Sequence, residues 1–225
     1  ADTYVAYLHA TGGTRLNDFR QQNEESPYWG VINQMRTSYT PADLQVGFKA
    51  SPLPGLGFHL FGGYRVTKDE IFHLPGITDT DFPYCYSLLM QEKAKVGYGG
   101  IKAAYGYKDI FDFSVGGTYY GWNVKDEAKV LLYLKPEFVL DASARAKVYD
   151  EFWISAAYRY EGRVKAGELE KADAINNLSL SAGYEFFKSL NVFVRFNNLL
   201  NQDYITEAGY PVQGFNAMAG VSFRF

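Results

Sequence analysis

The sequence predicts an all-β protein: an antiparallel transmembrane β-barrel with about ten strands present. Three observations carry that expectation. Apolar and polar residues alternate with a period of two along most of the chain, tight turns alternate with long connections, and aromatic residues gather where alternating segments end.

Alternation is clearest after Phe111. In the stretch 137–149, Phe138, Leu140, Ala142, Ala144, Ala146 and Val148 fall on one side, and Glu137, Asp141, Ser143, Arg145 and Lys147 on the other. Successive strand side chains point to opposite faces, so one face is greasy and the other ionic. Phe152, Ile154, Ala156, Tyr158 and Tyr160 then oppose Ser155, Arg159 and Glu161, and Leu178, Leu180, Ala182, Tyr184 and Phe186 oppose Asn177, Ser179, Ser181 and Glu185. Earlier, Leu44, Val46 and Phe48 oppose Gln45 and Lys49, while Phe58, Leu60, Tyr64 and Val66 oppose His59 and Arg65. A first strand is expected near Thr3 to Ala10, and Gly97, Gly99 and Gly100 suggest a bulge or a close backbone approach.

The connections at 51–56, 108–110, 150–151 and 188–189 are tight, whereas 65–92, 125–135, 162–175 and 200–215 are long. Short turns on one side and long loops on the other match an outer-membrane barrel, with the short side facing the periplasm. Rings at Phe111 and Phe113, Tyr119 to Trp122, Tyr149 to Trp153, and Phe186 and Phe187 fit the aromatic girdles at the two interfaces. A soluble barrel or sandwich would also alternate, but it explains neither the loop asymmetry nor the girdles.

Composition agrees. The chain has 225 residues, with 19 Tyr, 17 Phe and 22 Gly, and is 47% hydrophobic, which favours one folded β-rich unit over disorder. No run reaches the roughly 20 apolar residues of a membrane helix, whereas a spanning strand needs only about 10. A net charge of -3 gives no basic stripe for nucleic acid. With Cys85 the only cysteine, neither an internal disulfide nor a thiolate cluster can form, and no metal site or cofactor is expected. Ala1 to Tyr4 already alternate, so any export signal is expected to have been removed or to lie upstream.

The C-terminal stretch carries the most specific motif. Val192 to Phe196 runs into Asn197-Asn198-Leu199-Leu200-Asn201-Gln202-Asp203-Tyr204, followed by Gly209-Tyr210-Pro211-Val212-Gln213-Gly214 and the closing segment Asn216 to Phe225. This order resembles the last two strands of TonB-dependent outer-membrane receptors, with their Asn-Leu-x-Asn-x-x-Tyr motif (Asn198, Leu199, Asn201, Tyr204) and the loop at Gly209, Tyr210, Pro211 and Gly214. Many members have Arg after that loop's Gly, where this chain has Phe215-Asn216; Gln213 to Asn216 resembles receptors of the Bacteroides type. The resemblance implies the C-terminal portion of a barrel of about 22 strands, with residues 1–225 a single barrel segment and no plug domain among them. It further implies the outer membrane of a Gram-negative bacterium, with outer-membrane lipid around the wall and energy delivered by TonB through a plug. The cargo would be a scarce small-molecule ligand such as a metal chelate, a corrinoid or a glycan.

Ala217, Ala219, Val221, Phe223 and Phe225 form the lipid face of a terminal strand ending in an aromatic, which resembles the signal read by the barrel-assembly machinery. Arg65, Arg145, Lys147, Arg159, Glu161, Glu185, Arg195 and Arg224 are the interior candidates for touching a plug or passing substrate; a solvated wall of cross-strand ion pairs is the plainer reading. His9, His59 and His73 lack metal-ligand spacing. His73, Asp79 and Asp81, near Cys85, Tyr84 and Tyr86, are the one constellation that suggests a hydrolase; against it, acidic residues are common in exposed loops and the C-terminal resemblance belongs to another family. An enzyme is therefore not expected. The competing readings are a free-standing ten-stranded barrel acting as adhesin, small pore or protease, and a receptor fragment without activity of its own.

Overall fold

Ten antiparallel strands join into one sheet in the order β1-β2-β3-β4-β5-β6-β7-β8-β9-β12. The computed structural model describes residues 3–25, 35–75, 87–186, 189–207 and 210–223. The strands are β1 (Thr3–Arg15), β2 (Ser38–Leu53), β3 (Leu56–Pro75), β4 (Ser87–Tyr107), β5 (Phe111–Asn123), β6 (Pro136–Lys147), β7 (Phe152–Arg163), β8 (Ile175–Phe186), β9 (Leu190–Asn197) and β12 (Asn216–Phe223). A small ribbon, β10 (Ile205–Glu207) with β11 (Tyr210–Pro211), lies in the last connection. Helix α1 (Phe19–Glu25) follows β1, and a 3-10 helix (Asp126–Leu132) follows β5. Among the described residues no helix is long and apolar enough to cross a membrane.

Register puts all the apolar sets on one face. Leu8 faces Val46, Val46 faces Gly62, Leu60 faces Ile101, Ala142 faces Tyr158, Leu180 faces Phe196, and Val194 faces Ala219. A slip of one residue anywhere would turn charges onto this face, so the pattern itself specifies the pairing. The face is uncovered: Leu60 is 57% exposed, Ile101 55% and Val221 67%. A soluble protein rarely leaves so wide a contiguous apolar surface in water. Hydrocarbon is the medium that suits it.

Both edges of the sheet remain open, because β1 pairs only with β2 and β12 only with β9 among the described residues. The closed ten-stranded barrel expected of the free-standing reading is therefore not what the chain forms.

Four features refine or depart from the sequence expectation. First, β1 continues to Arg15, through a register break between Thr11 and Gly13, and does not end near Ala10. Second, most of the stretch 65–92 is not loop but the outward continuation of β3 and β4, which reach 20 and 21 residues where about 10 would span the hydrocarbon. Alternation there is weak because both faces lie in water or against another element. Third, the pairing of β4 with β3 and β5 is unbroken from Gly97 to Gly100, so no bulge occurs there. The close approach that the sequence also allowed is made at Gly100, where a Cβ would lie 2.5 Å from the Gly117 carbonyl oxygen and 2.8 Å from the Phe61 ring. Fourth, α1 occupies part of the polar stretch after β1.

What apolar core exists lies at the outer end. Phe72, Ala94, Leu131, Leu132 and Ala166 are buried together, with Trp122 and Val164 packed against them. The 3-10 helix thereby folds onto the β3–β4 hairpin and stiffens it beyond the membrane band. Trp122 also donates its indole N–H to the Pro136 carbonyl oxygen at 2.8 Å, fixing the return into β6.

The exposed belt yields a direct expectation. Leu180→Arg, at the middle of β8, should cost about 2–4 kcal/mol in a bilayer, whereas Ser179→Arg, on the opposite face, should cost far less. Denaturant unfolding in lipid vesicles measures both.

Candidate functional site

The polar face of the sheet is where the ionic residues converge. Asp141 and Arg159 stand directly opposite each other on β6 and β7, joined at 2.9 Å, and Arg159 also binds Glu161 at 2.7 Å. Glu161 passes the charge on to Arg163 at 2.6 Å. Asp141 and Arg159 are exposed, but Glu161 and Arg163 are buried, with 7% and 3% exposure. The guanidinium of Arg163 donates further to the carbonyls of Leu134 and Ile205, the latter at 3.0 Å. Two loops at the outer mouth are thus tied to the end of β7 by one side chain.

The Asn-Leu-x-Asn-x-x-Tyr motif forms a second knot beside it. Asn198 and Asn201 both have φ 47°, a left-handed conformation that Asn tolerates better than most residues. The Asn198 side chain accepts from the Gln202 amide at 3.1 Å and donates to the carbonyls of Gln202 at 2.9 Å and Gln213 at 3.3 Å. Asn201 accepts from the Phe215 amide at 2.8 Å, and a Cβ on Gly214 would lie 2.8 Å from the same oxygen. The buried Tyr204 accepts at its hydroxyl from Asn177 of β8 at 2.9 Å. Leu199 donates its amide to the Leu178 carbonyl at 2.9 Å. The motif residues therefore shape the path from β9 to β12.

The other interior candidates do not gather into one site. Arg145 stacks over Trp153 at 4.7 Å, and Trp153 covers the directly opposite Gly183. Arg65 stands opposite Asp43 and Val96, Lys147 opposite Trp153, Glu185 opposite Asn191, and Arg195 opposite Ser181 and Met218. Among the described residues only Arg159 and Glu161 of the eight candidates make ion pairs, so a wall of paired charges holds only on β6 and β7. Arg224, Phe225, Gly209, Cys85, Asp79, Asp81, Tyr84 and Tyr86 lie outside the described residues, as do Phe187 and Lys188; of Tyr210 only the strand position is described. Ala217, Ala219, Val221 and Phe223 sit on the apolar face of β12. Among the described residues no group of His, Cys, Asp or Glu could hold a metal ion.

The sequence missed Arg163 and Asn177. Arg163 ends an alternating run where solvent exposure is the default for an arginine. Its burial depends on loops that come from positions 134 and 205. Beyond the belt, the carboxyl of Glu92 accepts the Lys93 amide at 2.9 Å and lies 3.5 Å from the Lys125 ammonium. The amide and then the ammonium hold it below the usual carboxylate range.

Comparison with known proteins places this wall. Over 99% of its length the chain superposes on the copper transporter OprC, with a TM-score of 0.70 and 14% identity. The same share matches the ferric-catecholate import receptor Fiu from E. coli K12, with a TM-score of 0.67 and 15% identity. The pyoverdine outer membrane receptor FpvA from Pseudomonas aeruginosa PAO1 matches with a TM-score of 0.65 and 16% identity, again over 99% of the chain. The fold is that of an outer-membrane receptor's barrel wall. The chain spans only about a third of those proteins, covering 38%, 33% and 34% of OprC, Fiu and FpvA. No family model and no curated protein matches the sequence.

Two expectations follow. Arg163→Met leaves Glu161 to Arg159 alone and strips the Leu134 and Ile205 carbonyls of their donor, so it should destabilise the outer mouth by about 1–3 kcal/mol, as should Asn198→Ala; hydrogen exchange at residues 199–215 reports both. Because the Glu92 pKa is lower in the folded hairpin than in the unfolded chain, its contribution is full above the unfolded value and is lost as pH falls through the folded one. Exchange protection of the β3–β4 hairpin should therefore drop in acid, and Lys125→Gln should flatten that drop.

Proposed function

We propose that this chain is the C-terminal portion of the barrel of a TonB-dependent outer-membrane receptor, which carries a scarce ligand such as a metal chelate inward. One observation carries the reading: the sheet has an apolar face across all ten strands yet stays open at β1 and β12. In hydrocarbon an unpaired strand edge leaves amide and carbonyl groups without partners, each costing several kcal/mol. Further strands must cover both edges. A partner wall of this kind fits a chain spanning about a third of OprC, Fiu and FpvA.

On this reading residues 1–225 are a single barrel segment, and the plug that meets TonB belongs to sequence outside it. The knot around Asn198 and Tyr204 supports the resemblance at the C-terminus, since it gives each motif residue a structural task. Gln213 to Asn216 favours the Bacteroides type. The apolar belt would meet outer-membrane lipid, and the terminal strand would be the part read by the barrel-assembly machinery. Copper, pyoverdine and ferric catecholate are the ligands named for the matched proteins, and a metal chelate is accordingly the ligand class best supported here.

The complete reading frame containing this chain is the material for the test. Expressed in a Gram-negative host, its product should fractionate with the outer membrane, and growth on a limiting metal chelate should require both the product and TonB. Growth that is indifferent to TonB would overturn the receptor reading, and an unbroken ten-stranded barrel in the purified product would overturn the portion reading.

A further inference from the structure

The interior wall around Lys49 and Lys102 differs from that of β6 and β7. On β6 and β7 carboxylates meet the cations: Arg159 with Asp141 and Glu161, and Arg163 with Glu161. On β2 to β4 the register sets Lys49 directly opposite His59, and His59 directly opposite Lys102. One imidazole thus stands between two lysines. Among the described residues neither lysine has a carboxylate partner. Along the same row the next residues are Gly116 and then Asp141, which Arg159 already holds at 2.9 Å.

Aromatic rings cover the wall beside this row. Ring centres run from Tyr7 to His59 at 5.8 Å, His59 to Phe61 at 4.9 Å, Phe61 to Tyr98 at 6.5 Å, and Tyr98 to Tyr120 at 6.4 Å. Tyr7 and His59 are also hydrogen-bonded at 2.8 Å. Three of the rings lean over the glycine directly opposite, Tyr7 over Gly47, Phe61 over Gly100 and Tyr98 over Gly63. A Cβ at any of the three glycines would lie 2.4 to 2.8 Å from that ring. The glycines thus let the rings lie along the sheet. Lys49 sits 5.6 Å from the centre of the Tyr7 ring and Lys102 5.6 Å from that of Phe61. Past Lys102, a recess of about 500 Å³ opens over Gly116, lined also by Tyr120, Arg159 and the Asp141 that Arg159 holds. That lies within the range of small-ligand sites, about 300–1,000 Å³.

We propose that this stretch of wall is a contact site for planar aromatic anions. Ring faces laid along the sheet offer stacking to a flat ligand, with centroid separations of about 4.5–7 Å. Lys49 and Lys102 offer it a positive charge that no carboxylate among the described residues pairs. A neutral ligand would leave the two lysines without a counter-charge, and a non-aromatic anion would leave the rings unused, so the two features together select an aromatic carboxylate or a similar group. The site deepens the receptor reading, because it needs this face to line a barrel interior.

The test uses the complete product, purified in detergent, and 2-naphthoate as the probe, followed by calorimetry and ligand-observed NMR. Binding should be saturable and weaken with salt, and it should fall about tenfold or more in the double variant Lys49→Gln/Lys102→Gln. Phe61→Leu, which keeps an apolar side chain over Gly100, should weaken 2-naphthoate and leave the salt dependence intact. Retained heat-modifiable mobility on gels shows that each variant is folded. Absence of binding by the folded wild type, equal binding by the lysine variant, or equally tight binding of galacturonate would each overturn the proposal. Outer-membrane location and TonB-dependent growth are read separately, so the receptor reading can stand while this site fails.

Discussion

Backbone hydrogen bonding in a medium without water is the constraint on which this structure depends. Each strand must find its partners in its neighbours, since hydrocarbon offers none. That requirement fixes the antiparallel ladder of ten strands and the consistency of its register. It also makes the edges at β1 and β12 the most consequential feature of the chain. An open edge is tolerable in water and costly in lipid, a cost that the proposed larger barrel would remove.

The same constraint inverts the usual arrangement of a fold. Large apolar residues such as Leu60, Ile101 and Val221 are exposed, and the buried set is small and gathered at the outer end. There the chain leaves the hydrocarbon and has to hold itself together by ordinary packing. Phe72, Leu131 and Leu132 do so for the β3–β4 hairpin. Arg163 and Asn198 do so for the later loops by satisfying carbonyls and amides that no ladder reaches. The mouth is a small soluble-like assembly built on a membrane wall.

The interior face divides by its charge chemistry. On β6 and β7 ion pairs neutralise the wall, whereas on β2 to β4 three basic groups share a row above a ladder of rings. Glycines opposite three of the rings make that ladder possible. Gly55, with φ 81°, serves the tight turn between β2 and β3 instead.

Alternation, loop asymmetry and the terminal motif determined the fold class and the apolar face from sequence alone, because a period of two in a membrane has one solution for each strand. Leu178 to Phe186 could be assigned to its face without coordinates. Tertiary structure decided what alternation does not encode. The outward run of β3 and β4 gains its stability from a distant 3-10 helix, Arg163 is buried by loops from 134 and 205, and Lys49, His59 and Lys102 meet only through register across three strands. The reason is the same in each case: periodicity reports the medium on either side of a strand, and these contacts are made between residues far apart in the chain.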